Sequence, residues 1–210
     1  DIIIYLRGGT YFIDRTLTFR SNDSGTNGFR IIYKAYQSEK PVISGGKELI
    51  AGWTHHSGSI YKTGFDYDKK LRSLYINGHY RTMAEGEFIQ GQGGSGTFTI
   101  TGIEPWAITS GSCAAGIKFN TSDFGDYNNP QEIELISDVS DPYLWTQQRV
   151  CVESIYTDDG FRIAQIQQPG FALSQSLAWK CDMGPNDIWK PINAFELLDS
   201  AGEFYFDKAA

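Results

Sequence analysis

Short hydrophobic runs, separated by glycine or polar residues, follow one another through the first part of the chain. Ile2–Leu6 is apolar throughout, which is typical of a strand buried on both faces in a parallel arrangement. Further extended runs lie at residues 11–13, 16–19, 30–36 and 42–44. The longest runs are about 25 to 30 residues apart, a spacing that suits the coils of a solenoid. We therefore predict that residues 1–53 form initial coils, and two coils alone are expected to be marginally stable because about three repeats make a stable stack.

From residue 54 onward the pattern changes to longer strands joined by tight turns. The Asn77-Gly78 pair follows Leu74-Tyr75-Ile76 and precedes His79-Tyr80, and it predicts a two-residue hairpin, because both turn positions need positive φ. The other predicted elements are a hairpin at residues 149–166 that turns at Asp158-Asp159-Gly160, a strand at 131–136 and one helix at 172–180. Residues 54–210 are therefore predicted to form an antiparallel barrel or sandwich, and the whole chain an all-β fold.

The last residues carry a separate strand signal. Phe204 and Phe206 alternate with Tyr205 and Asp207, a period of two that places the two phenylalanines on one buried face. A strand needs a neighbour, and no return strand follows in this sequence. We expect either a partner far back in the chain, or a partner from the remainder of a larger protein or from a second chain.

Composition narrows the classes of partner. Of the 210 residues, 40% are hydrophobic and 14% aromatic, which is ample for a packed core. The net charge of −7, with no local cluster of basic residues, would repel a phosphate backbone, so a nucleic-acid partner is not expected. No window approaches the roughly 18 apolar residues of a membrane helix, and no leader peptide opens the chain. A membrane partner is not expected either.

The three cysteines, Cys113, Cys151 and Cys181, have no metal-ligand spacing. Their number allows at most one disulfide within the chain. Free cysteine is often buried as a small apolar residue, so we expect three buried reduced thiols.

A series of short motifs resembles a known group of proteins. In order, they are YLRGGTY at residues 5–11, YKAY at 33–36, PVISGG at 41–46, GW at 52–53, IYK at 60–62, LYING at 74–78 and LLDSAGEFYFD at 197–207. Together they resemble the N-terminal part of right-handed parallel β-helix carbohydrate-active proteins, a group that includes fucosidases, xylanases, β-xylosidases and non-catalytic modules.

The resemblance implies initial β-helix coils, then an inserted antiparallel β domain, in a secreted protein that acts on a polysaccharide or oligosaccharide. It also implies that the catalytic acids lie on later coils. Where relatives often carry an Ala-Arg-x-Pro run after the Asn-Gly hairpin, this chain has Ala84-Glu85-Gly86-Glu87. No role of that run is carried over to this chain.

Candidate catalytic residues follow from the chemistry of glycoside hydrolysis, which needs two carboxyl groups across a cleft. Glu85 and Glu87 would share one face of a strand about 7 Å apart, compatible with such a pair. The alternative is a solvated acidic edge that blocks aggregation.

One loop suggests a metal. Asp123, Asp126 and Asn128 place oxygen atoms at alternating spacing, a loose calcium pattern without the bidentate glutamate of a recognised loop. The alternative is an Asx-type loop that leads into the strand at residues 131–136.

Tryptophans are the candidates for sugar binding, because the C–H faces of a sugar stack on exposed aromatic rings. Trp106 and Trp189 lie in predicted loops and are the candidate platform, whereas Trp53 and Trp145 lie in or beside strands and are expected in the core.

Three hypotheses remain open at this point. The chain is a non-catalytic N-terminal segment of a β-helix glycoside hydrolase acting on plant cell-wall polysaccharide of hemicellulose or pectin type. Alternatively, it is a carbohydrate-binding module, or a glycosidase with its own carboxyl pair.

Overall fold

The computed structural model describes residues 1–50, 52–94, 96–101, 110–138, 147–177 and 187–208. The chain divides into two compact units, Asp1–Asp66 and Tyr67–Ala210. The described residues contain many strands and a single α-helix, so the prediction of an all-β fold is confirmed. No helix in the described ranges has the length and apolar character needed to cross a membrane. The domain boundary at residue 53 stays a prediction, since only separate expression of the two parts would test it.

The first unit is built from short strand pairs. Its strands are β1 Ile2–Leu6, β2 Gly9–Phe12, β3 Ile31–Ala35, β4 Pro41–Ser44, β5 Thr54–Ser57 and β6 Ile60–Lys62. Strand β1 pairs in parallel with β3, and β2 pairs in parallel with β4. Strands β5 and β6 form an antiparallel hairpin. The parallel pairing expected at the start of the chain is therefore present, in sheets of two strands each.

Polar contacts tie the two parallel pairs together. The Arg7 guanidinium forms an ion pair with Glu39, with Nη2 2.8 Å from Oε1. Glu39 also accepts a hydrogen bond from the backbone N–H of Gly8. Both contacts lower the pKa of the Glu39 carboxyl, the bond from Arg7 being the larger cause. These bonds hold the bend between β1 and β2 against the turn that follows β3.

The first unit has no buried residue among those described. Ile2 of β1 is 61% exposed, and Tyr33 of β3, Val42 and Ile43 of β4 are also exposed. Strands of this composition usually lie inside a packed structure, because each buried aliphatic side chain contributes about 1.5 to 3 kcal/mol. The apolar sequence of these strands is therefore not matched by burial within the unit itself.

The second unit contains a closed barrel. Its strands are β7 Leu74–Ile76, β8 His79–Met83, β9 Ile89–Gly93, β10 Thr97–Thr101, β11 Ser110–Ala114, β12 Gly116–Asn120, β13 Glu134–Ser137, β14 Arg149–Asp158, β15 Phe161–Ile166, β16 Asp187–Ile192 and β17 Glu203–Phe204. The barrel order is β12-β15-β14-β13-β16-β9, and every neighbouring pair is antiparallel. Of the two architectures predicted for this region, the barrel is the one that forms.

The predicted hairpins form where turn chemistry places them. Asn77 and Gly78 have φ of 53° and 79° and join β7 to β8, while Asp159 and Gly160, at 46° and 77°, join β14 to β15. The predicted strand at residues 131–136 is shifted: Pro130–Glu132 is a 3₁₀ turn and β13 begins at Glu134. Helix α1 is Gly170–Leu177, and the predicted positions 178–180 lie outside the described residues.

The barrel interior is filled by large side chains around a small residue. Phe119 stacks on Phe124 with ring centroids 4.5 Å apart. Gly91 of β9 faces this interior, where an added Cβ would lie 2.7 Å from Ile117 and 3.1 Å from Trp189. Glycine is needed here because the space that a methyl group would occupy already holds neighbouring side chains.

A buried carboxylate joins the barrel to the segment before β7. Glu134 of β13 bonds to Arg72 at 2.5 Å and to Arg149 of β14 at 3.0 Å. Burial on its own would raise the pKa of Glu134, but the bond from Arg149 and the charge of Arg72 outweigh it and leave the pKa below its ordinary value. The two arginines therefore compensate the cost of burying the negative charge of Glu134.

Beside this carboxylate, Cys151 is a free thiol, and burial raises its pKa. Cys113, in contrast, is disulfide-bonded, so the prediction of three reduced thiols is wrong. Cys181 lies outside the described residues.

The C-terminal strand finds its neighbour far back in the chain. Strand β17 pairs in parallel with β8, with Glu203 opposite Thr82 and Phe204 opposite Met83. Phe204 and Phe206 are both buried, which confirms the face predicted from their alternation. Asn193 then holds the next residues, because its side chain bonds to both the N–H and the carbonyl of Phe206.

Candidate functional site

A groove on the second unit brings together residues from three separate segments. Its cavity volume is about 440 Å³. The side chains that line it and carry its chemistry are Glu85, Glu87, Phe88, Lys190, Asp199 and Glu203. We call this the acidic groove. It contains both carboxylates predicted as a catalytic pair, so the structure places Glu85 and Glu87 on one concave surface.

One wall of the groove is formed where the chain leaves β8 and runs beside β16. Glu85 forms an isolated antiparallel bridge with Ile192, and the N–H of Gly86 donates to the carbonyl of Pro191 at 2.9 Å. Proline cannot donate to a ladder, but its carbonyl still accepts. This pairing fixes the backbone that presents Glu85 and Glu87 to the groove.

Lys190 of β16 organises this wall. Its Nζ lies 2.9 Å from Oε1 of Glu85 and 4.9 Å from the centroid of the Phe88 ring. The ammonium group therefore contacts a carboxylate and an aromatic ring at once, a cation–π arrangement. Phe88 remains 44% exposed, so part of its ring is available to a ligand.

The opposite wall is formed by the turn before β17. Glu203 Oε2 accepts hydrogen bonds from the backbone N–H groups of Asp199 and Ser200, at 3.3 and 3.1 Å. The Ser200 hydroxyl donates to the Asp199 carboxylate at 2.9 Å. These bonds hold the turn in one conformation and place two more carboxylates at the groove.

What the groove can do chemically follows from its groups. Ionised carboxylates accept hydrogen bonds from hydroxyl groups, and an exposed ring offers an apolar face. Glu85 is engaged by Lys190, whereas Glu87 is exposed and forms no hydrogen bond or ion pair within the described part of the chain. A catalytic role for either residue remains a prediction.

The tryptophan prediction needs correction. Trp189 is 2% exposed and packs in the barrel core with its ring centroid 6.3 Å from that of Phe171. It belongs to β16 and not to a loop, and its side chain packs into the barrel core, on the opposite face of the strand from Lys190. It therefore cannot serve as an exposed sugar platform. Trp53, expected in the core, is 48% exposed.

Trp106 lies outside the described residues, as does Trp145. The proposed role of Trp106 in sugar stacking thus stays a prediction.

The calcium prediction finds no assembled site. Asp123 accepts hydrogen bonds from Ser122 at 2.7 Å and Asn120 at 3.0 Å, and these bonds lower its pKa. Asp126 lies 3.4 Å from Arg162.

Asn128 donates its backbone and side-chain N–H groups to Glu196. The three predicted ligands thus have three different sets of partners. In the part of the chain that the structure describes, no group of three or more His, Cys, Asp or Glu side chains could hold a metal ion.

Sequence reasoning missed four of the six groove residues. Phe88, Lys190, Asp199 and Glu203 carry no shared local motif, and they meet only because β17 pairs with β8 while β16 lies beside the segment that follows β8. The signals available were the acidic run at residues 85–87 and the aromatic alternation near Glu203. Neither signal indicated that these two segments lie next to each other.

Comparison with solved structures gives a match in fold. A solved structure described as a glycoside hydrolase resembles this chain with a TM-score of 0.67 at 21% sequence identity. The alignment covers 99% of this chain and 34% of that chain, so this chain spans about a third of the match. At this identity the likeness establishes a shared fold. No family model matches the sequence, and no curated protein matches it.

Proposed function

We propose that this chain is a non-catalytic N-terminal segment of a β-helix glycoside hydrolase that acts on plant cell-wall polysaccharide of hemicellulose or pectin type. The observation that carries the proposal is the extent of the structural match. Almost the whole chain, with both of its compact units, aligns with about a third of a glycoside hydrolase. Because a fold can host unrelated functions, the activity is an inference from this likeness.

The exposed strands of the first unit support the β-helix part of the proposal. Two parallel pairs, β1 with β3 and β2 with β4, succeed each other along the chain as coils do. Their apolar side chains, such as Ile2 and Val42, are exposed. Further coils of a β-helix would bury them, since neighbouring repeats supply the core that a single repeat lacks.

The open side of β17 is a second place where the remainder of such a protein, or a second chain, would pair. Strand β17 is at the edge of its three-stranded sheet in the described part of the chain, and the open edge of a sheet is where a further strand can add. Polymeric wall substrates lie outside the cell, so the proposal implies a secreted protein.

The test compares polysaccharide turnover by two samples. One is the 210-residue chain, and the other is the whole protein that contains it. Reducing-sugar release is measured on xylan, pectin and fucosylated oligosaccharides. We expect release by the whole protein and none by the chain alone. Absence of release by the whole protein on every substrate would refute the proposed activity, while release by the chain alone would show that the catalytic groups lie within it.

The acidic groove favours a second candidate, a glycan-binding or catalytic role within this chain. Glu85 and Glu87 line one cavity, as the carboxyl-pair hypothesis requires. If they are the catalytic pair, the chain has a pH–rate profile that disappears in both Glu85→Gln and Glu87→Gln. If they only bind sugar, the chain retains polysaccharide in affinity gels without releasing reducing ends.

A further inference from the structure

We infer that the acidic groove is a glycan subsite selective for uncharged sugar residues over uronates. This inference rests on the proposed function, because it names the class of sugar that a segment of a polysaccharide-degrading enzyme would hold. It also separates the two substrate types that the proposal leaves open, since hemicellulose backbones are largely neutral and pectin is rich in uronate.

The size of the groove and the exposed Phe88 ring suit a sugar ligand. A cavity of about 440 Å³ is within the range of ligand sites, about 300 to 1,000 Å³. Phe88 lies at this cavity with 44% of its surface exposed, and the Lys190 ammonium group restrains the ring from one side. A sugar ring has an apolar C–H face and a polar edge of hydroxyl groups. A restrained, exposed aromatic ring next to hydrogen-bonding groups can contact both.

The carboxylates around the Phe88 ring can accept hydrogen bonds from sugar hydroxyl groups. Ionised carboxylates only accept hydrogen bonds, so they suit the hydroxyl groups of a neutral sugar. Glu87 is exposed, and the Asp199 carboxylate is held in place by the Ser200 hydroxyl. Both can therefore receive a ligand without losing a buried ion pair.

The charge balance provides the selectivity. Four carboxylates and one ammonium group line the groove, which leaves an excess of three negative charges. A uronate carboxylate would be repelled by this excess. At separations of about 7 Å in a water-like dielectric, the repulsion corresponds to roughly tenfold to thirtyfold weaker binding. Added salt should reduce the difference, because the Debye length is about 8 Å at 0.15 M ionic strength.

The experiment measures binding of two probes to the 210-residue chain by calorimetry and affinity electrophoresis. The probes are unsubstituted xylo-oligosaccharides and oligogalacturonates of equal length. We expect xylo-oligosaccharides to bind at least about tenfold more tightly, with a preference that falls as sodium chloride is raised. Equal affinity for the two probes, or tighter binding of the uronate, would overturn the inference.

Two variants test the groove itself. Phe88→Ala should weaken xylo-oligosaccharide binding about fivefold to tenfold through lost stacking. Glu87→Gln should shift the ratio of the two affinities toward the uronate by about twofold to threefold, because it removes one of the excess charges and keeps an acceptor. Tyr75→Ala is the matched control, since Tyr75 is an aromatic residue of the same unit, 64% exposed and outside the groove lining.

The outcomes separate this inference from the proposed function. Unchanged binding in Phe88→Ala, or an equal loss in Phe88→Ala and Tyr75→Ala, with thermal unfolding unchanged in both, would refute stacking of the glycan on Phe88. Failure of the chain to bind either probe, while the whole protein releases sugar, would refute the groove and leave the activity standing. Absence of release by the whole protein would refute the activity by a separate measurement.

Discussion

Asn193 connects the barrel to the C-terminal segment, and replacing it with alanine gives a sharp test of the fold. The residue is 4% exposed. Its Nδ2 donates to the carbonyls of Glu132 and Phe206 at 3.1 and 3.0 Å, and its Oδ1 accepts from the N–H of Phe206 at 2.9 Å. Its backbone has φ of 61°, the left-handed region that asparagine tolerates better than most residues.

The expected loss has two parts. Three hydrogen bonds at about 1 kcal/mol each give about 3 kcal/mol, since the backbone groups left behind stay largely buried. The positive φ adds about 1 kcal/mol when alanine replaces asparagine. Asn193→Ala should therefore lower the free energy of unfolding by about 4 kcal/mol, which corresponds to a fall in Tm of about 10 °C for a unit of this size.

Asn77→Ala is the matched control. Asn77 also has a positive φ, 53°, but it lies exposed in the β7–β8 turn, so only the backbone part of the cost applies, about 1 kcal/mol. Urea unfolding followed by circular dichroism measures both variants, and hydrogen exchange should show faster exchange at residues 204–206 in Asn193→Ala alone. Equal destabilisation of the two variants would refute the idea that the side chain of Asn193 holds the C-terminal segment.

Three further predictions concern the second unit. The pKa of Glu134 is lowered in the folded state, so its contribution to stability is fully present above its ordinary pKa of 4.5 and is lost as the pH falls through its folded-state pKa. The free energy of unfolding, measured from pH 6 to 3, should therefore decline more steeply in the unmodified chain than in Glu134→Gln. Parallel curves would contradict the ion-pair assignment. Gly91→Ala should cost about 1 to 3 kcal/mol in urea unfolding by overpacking the barrel, while Gly170→Ala in the same unit, where an added Cβ meets nothing within 4 Å, should be near neutral; similar costs at the two sites would count against the packing argument. Burial raises the pKa of the Cys151 thiol, so alkylation of its peptide at pH 8, followed by mass spectrometry, should be much slower in the native protein than in urea, and equal rates would show the site to be open.

The sequence determined the local features of this protein. The Asn77-Gly78 and Asp159-Gly160 turns form as predicted because positive φ is a property of those residues and needs no distant partner. The alternation of Phe204 and Phe206 likewise predicted a common buried face, since a strand has a side-chain period of two wherever it lies. The apolar run of β1 predicted a parallel strand, and the strand pairs in parallel with β3, but the burial on both faces that this pattern implied is absent within the first unit.

The tertiary structure decided which strands become neighbours, and with them the candidate site. Trp189 was predicted in an exposed loop because asparagine and proline flank it, but closure of the barrel makes that segment a central strand and turns the indole inward. The acidic groove exists only because β17 pairs with β8 and β16 lies beside the segment that follows β8. Turn and strand preferences depend on neighbours along the chain, whereas pairing across more than a hundred residues depends on how the whole barrel closes, and no local pattern records it.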